Sequence, residues 1–308
     1  MASAGKKWLI GCGIGCLATV LIVVALVGGA ALFFKDIVSS WNTATESESE
    51  LIRVHGAVAD FRPAWDGSVT PERIEIFVAV RDDLAERRGE LAAALPAAAA
   101  GVDTAATGLE KAWRVLRAGP RLGTLLADFL AARTAALLER GMGLGEYAYL
   151  YSLVYIGWLG QEPGAGPEHV EMSFGGRGGG IHYESDDSDE RQSRSRRQRA
   201  VRRRLNELQQ RWFAAMLAQT PPESGPGADA RRALVAAEAE RLAGSTTAVA
   251  WEQGLPEHLA AVLQPWRDRL DDAWCASCNP FELMFLDDGA EDGTAEDAEE
   301  PRERREAI

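Results

Sequence analysis

Two cysteines near the end of the chain have the spacing that thiol chemistry requires. Cys275 and Cys278 are separated by two residues and follow Trp274. In a Cys-X-X-Cys motif the first cysteine can be an activated thiolate. Thioredoxin-like sites place this motif between a strand and a helix, whereas here an amphipathic helix precedes it and Asn279-Pro280 resembles the start of another helix.

Three interpretations of this cysteine pair remain open. A disulfide could fix the turn between the two helices, the pair could be redox-active, or both thiols could be reduced and inert. The sequence favours the structural disulfide, because the context of a redox site is missing. A four-cysteine zinc site is excluded, since Cys12 and Cys16 lie within a long apolar segment.

Histidine and glutamate alternate in two short strings, His169-Val-Glu171 and His182-Tyr-Glu184. If both strings are strands of one hairpin, their four polar side chains share a face and could hold a divalent metal. The glycine-rich sequence between them and the absence of a known ligand spacing favour a hydrated loop. We therefore predict no metal and no cofactor. The chain also lacks a nucleophile elbow, an HExxH motif and a Walker loop, which favours a non-enzymatic protein.

Two helix faces are candidate partner surfaces. Tyr147, Tyr151, Tyr155 and Trp158 recur at helical spacing, so they form an aromatic stripe that either packs in the core or contacts a partner. Between positions 191 and 211 there are nine arginines.

The arginine-rich segment reads as a helix with one apolar edge. That edge is formed by Val201, Leu205, Leu208 and Trp212. Arg199 and Arg203 would lie on the other side, as a solvated face or as a surface for an anionic partner. Nucleic acid is an unfavourable partner, because the net charge is -13 and no nucleic-acid-binding motif is present.

The segment 8–34 contains no charged residue and follows Lys6 and Lys7. It is long enough to cross a bilayer as a helix, and the preceding lysines favour a cytoplasmic N-terminus. We predict an uncleaved signal anchor in the inner membrane, with the bulk of the chain outside the cytoplasm. Gly11 and Gly15 would permit two anchors to associate, so a homodimer remains open.

The domain organisation follows from changes in composition along the chain. We expect a mainly α protein in which a transmembrane helix precedes an extracytoplasmic helical bundle. The predicted divisions are a cytoplasmic N-terminus (1–7), the anchor (8–34), a stalk and loop (35–69), a first helical part (70–160), a flexible Gly-rich and acidic insert with a possible hairpin (161–190), a second helical part (191–286) and a disordered acidic tail (287–308).

Helix boundaries are predicted from capping residues, glycines and prolines. Thr70-Pro71-Glu72 is a helix start, and Pro96 and Gly119-Pro120 are expected helix ends. The predicted helices are 71–95, 102–118, 122–140, 144–159, 190–218, 228–243 and 256–274.

Three stretches combine features of an anchor and of helix starts: Lys6–Cys16, Pro71–Arg81 and Gly141–Tyr147. They resemble uncharacterised bacterial single-pass membrane proteins with helical extracytoplasmic domains. The resemblance implies the architecture and no activity. Arginine supplies nearly all basic residues and alanine is abundant, a usage typical of high-GC bacterial genomes.

Two functional hypotheses follow. The first is a non-enzymatic, membrane-anchored envelope protein that binds a protein partner or an envelope component. The alternative is an envelope enzyme that uses the cysteine pair for thiol redox chemistry or the histidine-containing strings for a metal.

Overall fold

The computed structural model describes residues 39–103, 108–166, 170–173, 180–183, 187–222 and 225–283. The predicted anchor at 8–34 and the predicted tail at 287–308 lie outside these residues. Within the described ranges, no helix combines the length and the apolar character needed to cross a bilayer.

Helices dominate the described residues, which confirms the mainly α fold class. They are α1 (39–55), α2 (Pro71–Asp83), α3 (Ala85–Asp103), α4 (Gly108–Glu139), α5 (Leu144–Tyr151), α6 (Asp187–Ala218), α7 (Pro226–Ala243), α8 (Glu257–Leu263), α9 (Arg267–Asp272) and α10 (Asn279–Glu282). A π-helical segment, Ser152–Trp158, continues α5 directly.

Prolines do not end the helices in the way the sequence suggested. Helix α3 runs through Pro96 and α4 runs through Pro120, so the breaks predicted there are wrong. A proline removes one backbone hydrogen bond, and the alanine run after Pro96 has the highest intrinsic helix propensity. The predicted helix 71–95 is instead divided at Leu84, where α2 ends.

The predicted helix 256–274 is interrupted. A 3-10 turn, Gln264–Trp266, separates α8 from α9 and contains Pro265, which has no N–H to donate to the helix. Helix α9 ends at Asp272, so Trp274 and Cys275 lie in a non-helical connection before α10.

A short antiparallel hairpin lies in the predicted insert. Strand β1 (Val170–Ser173) pairs with β2 (Gly180–Tyr183), and the register places Glu171 opposite His182. Of the four histidine and glutamate residues considered for a metal, His169 and Glu184 lie outside the described residues.

The hydrophobic core begins before the boundary predicted near residue 70. Ala44 and Leu51 of α1 are buried, as is Val58 in the following 3-10 turn. This segment packs closely against the start of α5, where a Cβ added to Gly145 would lie 2.5 Å from the Phe61 Cβ. The segment 39–69 is therefore part of the folded domain rather than a separate stalk.

Candidate functional site

The centre of the core contains a charged pair bridged by a tyrosine. Arg81 of α2 and Glu282 of α10 form an ion pair, and both side chains are about 1% exposed. The Arg81 Nη1 donates to the Tyr147 hydroxyl at 2.9 Å, and that hydroxyl donates to the Glu282 Oε2 at 2.8 Å. Helices α2, α5 and α10 are thereby joined by one closed set of charge-assisted hydrogen bonds.

The remaining donors of Arg81 also have partners. Its Nε donates to the Tyr155 hydroxyl at 3.1 Å, and its Nη2 donates to the Ala273 carbonyl oxygen at 2.8 Å. The guanidinium carbon lies 5.4 Å from the ring centroid of Tyr151 and 5.1 Å from that of Tyr155. Cation–π attraction of this kind strengthens when water is excluded. This arrangement offsets the cost of burying the charge.

The electrostatics of this network favour a structural role. Burial is the largest single influence and opposes the charge on Arg81, but Glu282 and the three tyrosines together outweigh it, so the pKa of Arg81 is raised well above its ordinary value. Burial also raises the pKa values of Tyr147, Tyr151 and Tyr155. All three phenols stay protonated at neutral pH, so they are not available as general bases. Tyr147 and Tyr151 donate hydrogen bonds, and Tyr155 accepts one from Arg81.

The predicted aromatic stripe lies in the core. Tyr147, Tyr151 and Tyr155 are each 0% exposed, which rules them out as a partner surface in this fold. Their rings pack against one another and against Phe77. Trp158 is partly exposed, and the Arg267 guanidinium carbon lies 5.0 Å from its ring centroid.

Helix α10 is held in place at both ends. The Tyr151 hydroxyl donates to the Asn279 Oδ1 at 2.9 Å. The Asn279 amide donates to the carbonyl oxygens of Pro163 at 2.5 Å and Ala165 at 2.9 Å. At the other end, the Glu282 backbone oxygen accepts from Arg133 at 3.3 Å.

The cysteine pair lies directly before α10. Both thiols are free, Cys275 is partly exposed and Cys278 is buried. The Cys278 N–H donates to the Cys275 carbonyl oxygen at 3.1 Å, which closes a tight turn. The Cys278 thiol also lies 3.4 Å from the Arg88 carbonyl oxygen, to which it donates.

The environments of the two thiols are different. A hydrogen bond from Cys278 lowers the pKa of Cys275 to about 6, against the opposing effect of burial, and the Ser277 hydroxyl lies 3.5 Å from the Cys275 sulfur. The pKa of Cys278 is raised by its contact with Cys275 and by burial. The exposed thiol is therefore the acidic one, and the buried thiol stays protonated.

The arginine-rich helix α6 has the two faces that the sequence predicted. Val201, Leu205, Leu208 and Trp212 are buried. Arg196, Arg199 and Arg203 are exposed on the outer side, and none of them pairs with another described residue. These three residues are called the arginine surface below.

Arg202, on the same helix, behaves differently. Its guanidinium contacts Glu162 at 2.8 Å and Glu252 at 2.9 Å. Glu252 also accepts from Arg241 at 2.8 Å. Arg202 thus contributes to the fold, whereas the arginine surface forms no ion pair with a described residue.

The chain matches no known family model, no curated protein and no solved structure at a significant level. Its function is therefore argued from its own residues.

Metal binding gains no support within the described ranges. There, no group of three or more histidine, cysteine, aspartate or glutamate side chains is placed to hold an ion. Glu171 and His182 are cross-strand neighbours in the hairpin, so the described residues include two of the four residues considered as ligands.

One feature of the sequence does indicate the buried network. Arg81 continues the apolar stripe of α2 formed by Ile74, Phe77 and Val78, so a charge occupies a core position. A charge at such a position requires a partner. No local pattern indicates that this partner is Glu282, because α10 is short and distant in the chain.

Proposed function

We propose that this protein is a single-pass membrane protein of the cell envelope, anchored by residues 8–34, whose helical domain binds an acidic protein partner outside the cytoplasm. The observation that supports this proposal is the arginine surface. Three exposed arginines without described partners face outward from a helix whose other side is packed in the core.

Charge complementarity identifies the class of partner. The chain as a whole carries a net charge of -13, so an exposed cluster of three arginines is a local exception. Clusters of one sign raise the rate of encounter with surfaces of the opposite sign. Arginine also binds carboxylates in a bidentate geometry. An acidic protein segment fits these properties.

The proposed anchor is supported by its own sequence and by the helix that begins shortly after it. Segment 8–34 has the length and the apolar character of a membrane span, and the lysines before it favour a cytoplasmic N-terminus. Helix α1 is already formed at residue 39 and packs Leu51 into the core. The folded domain would therefore lie close to the membrane surface.

The test is crosslinking of tagged full-length protein in native membranes, with quantitative mass spectrometry of the recovered proteins. We expect an acidic partner whose recovery falls when Arg199→Glu and Arg203→Glu are combined. The matched control is Arg121→Glu together with Arg211→Glu, since both residues are exposed and lie outside the arginine surface. Equal recovery from both double variants would contradict the proposal.

The proposed orientation has its own test. Protease added to intact spheroplasts should digest the helical domain, whereas a tag fused before residue 6 should survive. A protected helical domain would contradict the extracytoplasmic placement.

A further inference from the structure

We propose that Cys275 and Cys278 form a thiol–disulfide exchange site for the thiols and disulfides of other proteins. This activity is independent of the arginine surface. It rests on the geometry of the connection between α9 and α10.

Thiol–disulfide exchange by a cysteine pair requires one accessible thiol and one protected thiol, and the two cysteines differ in exposure in this way. Cys275 is partly exposed, and so are its neighbours Trp274 and Ser277, so a partner sulfur can approach it. Cys278 is 0% exposed and is covered by the core. Cys275 is therefore the attacking thiol, and Cys278 is the resolving thiol.

The two thiols are also close enough to form a bond with each other. The backbone between them is closed by the 3.1 Å hydrogen bond from the Cys278 N–H to the Cys275 carbonyl oxygen, and each thiol influences the pKa of the other. A disulfide across this turn would require rotation of the two side chains and approach of the sulfurs. Because both cysteines lie in one short connection before α10, we expect the pair to be oxidised within that connection.

Several groups near Cys275 affect its thiolate form. The Cys278 thiol and the Ser277 hydroxyl stabilise it by hydrogen bonding, whereas the Glu282 carboxylate opposes it through charge. The balance lowers the pKa of Cys275 to about 6. A thiolate at neutral pH is the reactive species in exchange.

The exchange step is a pair of displacements. The Cys275 thiolate attacks one sulfur of a partner disulfide, a mixed disulfide forms, and the second partner sulfur leaves as a thiolate. Cys278 then gives its proton to the partner thiolate released in the first displacement and attacks the Cys275 sulfur, which releases the first partner sulfur as a thiolate. Two electrons pass from the cysteine pair to the partner disulfide. In reverse, the oxidised pair accepts two electrons from a partner dithiol.

The first test is an equilibrium titration of the full-length protein in detergent with glutathione buffers of defined ratio. The reduced fraction is measured by maleimide labelling after acid quenching and is assigned to Cys275 and Cys278 by peptide mapping, because Cys12 and Cys16 also carry thiols. We expect one reversible two-electron transition involving both cysteines. A pair that stays oxidised in ~10 mM dithiothreitol under native conditions, or stays reduced in oxidised glutathione, would overturn the proposal.

The second test separates the roles of the two cysteines. Cys278→Ser should accumulate a mixed disulfide with glutathione at Cys275, at least ten times more than Cys275→Ser accumulates at Cys278. Equal adduct formation would contradict the assignment. If the buried Cys278→Ser substitution prevents folding, the titration of the unchanged protein still decides whether the pair exchanges.

Discussion

Arg81 and Glu282 form a fully buried ion pair although 201 positions separate them in the chain. Helix α10 thereby closes against α2 near the centre of the core. A buried pair of this kind adds little net stability compared with apolar residues of similar size, but losing one partner leaves an uncompensated charge. The pair therefore enforces the position of α10.

Removal of the Glu282 carboxylate should destabilise the domain strongly. Glu282→Leu leaves Arg81 buried with no counter-charge, so we expect a loss of about 3 to 5 kcal/mol in the free energy of unfolding. Chemical denaturation measures this value. The double variant Arg81→Met/Glu282→Leu should recover at least half of the loss. A double variant as unstable as the single one would contradict the coupling.

The Tyr151 hydroxyl should matter for stability and not for partner binding. Tyr151→Phe removes the hydrogen bond to Asn279 and leaves that buried amide with one unpaired acceptor, so we expect a loss of about 1 to 3 kcal/mol. Partner recovery in the crosslinking experiment should stay unchanged. A loss of the partner without a loss of stability would contradict this prediction.

Two glycines should respond in opposite ways to alanine. A Cβ at Gly145 would lie 2.5 Å from the Phe61 Cβ and 2.8 Å from the Val58 carbonyl oxygen, so Gly145→Ala should cost about 1 to 3 kcal/mol. Gly89, within α3, has open space around it, so Gly89→Ala should stabilise the domain by about 0.5 to 1 kcal/mol. Thermal unfolding compares them, and a tolerated alanine at position 145 would refute the close packing.

Neighbouring arginines on α6 should have different effects on stability. Arg202→Met removes the contacts to Glu162 and Glu252 and should cost about 1 to 2 kcal/mol, whereas Arg203→Met should change stability by less than about 0.5 kcal/mol. Equal effects would show that the exposed arginine also serves the fold.

The effect of Arg202→Met should also depend on pH. Burial of Glu252 opposes its ionisation, but Arg202 and Arg241 outweigh it and hold the pKa below the ordinary value of 4.5. A carboxyl group whose pKa is lower in the folded protein than in the unfolded chain stabilises the fold at pH values above its unfolded pKa. This stabilisation is lost as the pH falls through its pKa in the folded protein. The difference in the free energy of unfolding between the natural protein and Arg202→Met should therefore become smaller below about pH 4. Denaturation at several pH values measures it.

Alkylation of the reduced protein should distinguish the two thiols. The rate at which Cys275 reacts with iodoacetamide should fall to half of its maximum at high pH when the pH reaches about 6, because the pKa of Cys275 is lowered to about 6. Cys278 should stay unmodified until the protein unfolds, since it is buried and its pKa is raised. Peptide mapping measures both rates. A Cys275 profile centred near the ordinary value of 9 would contradict the activated thiol.

The sequence was most informative where local signals decide structure. The helix start at Pro71 follows from the proline in the first turn, although the predicted capping hydrogen bond of Thr70 is absent. The helix end at Ala218 follows from the Pro- and Gly-rich linker, and the buried edge of α6 follows from apolar periodicity. It was misleading at Pro96 and Pro120, where the rest of the helix outweighs one missing hydrogen bond. The pairing of Arg81 with Glu282 depends on tertiary packing, which no local pattern contains.

The long separation between Arg81 and Glu282 also affects the order in which the chain can fold as it is made. At synthesis rates of about 5 to 20 residues per second, Glu282 is added roughly 10 to 40 s after Arg81. During this interval the Arg81 side chain has no counter-charge, although its position in the folded domain lies in the apolar interior. The N-terminal helices therefore cannot settle into their final packing on their own, and the nascent domain must stay open until nearly all of the chain has left the ribosome.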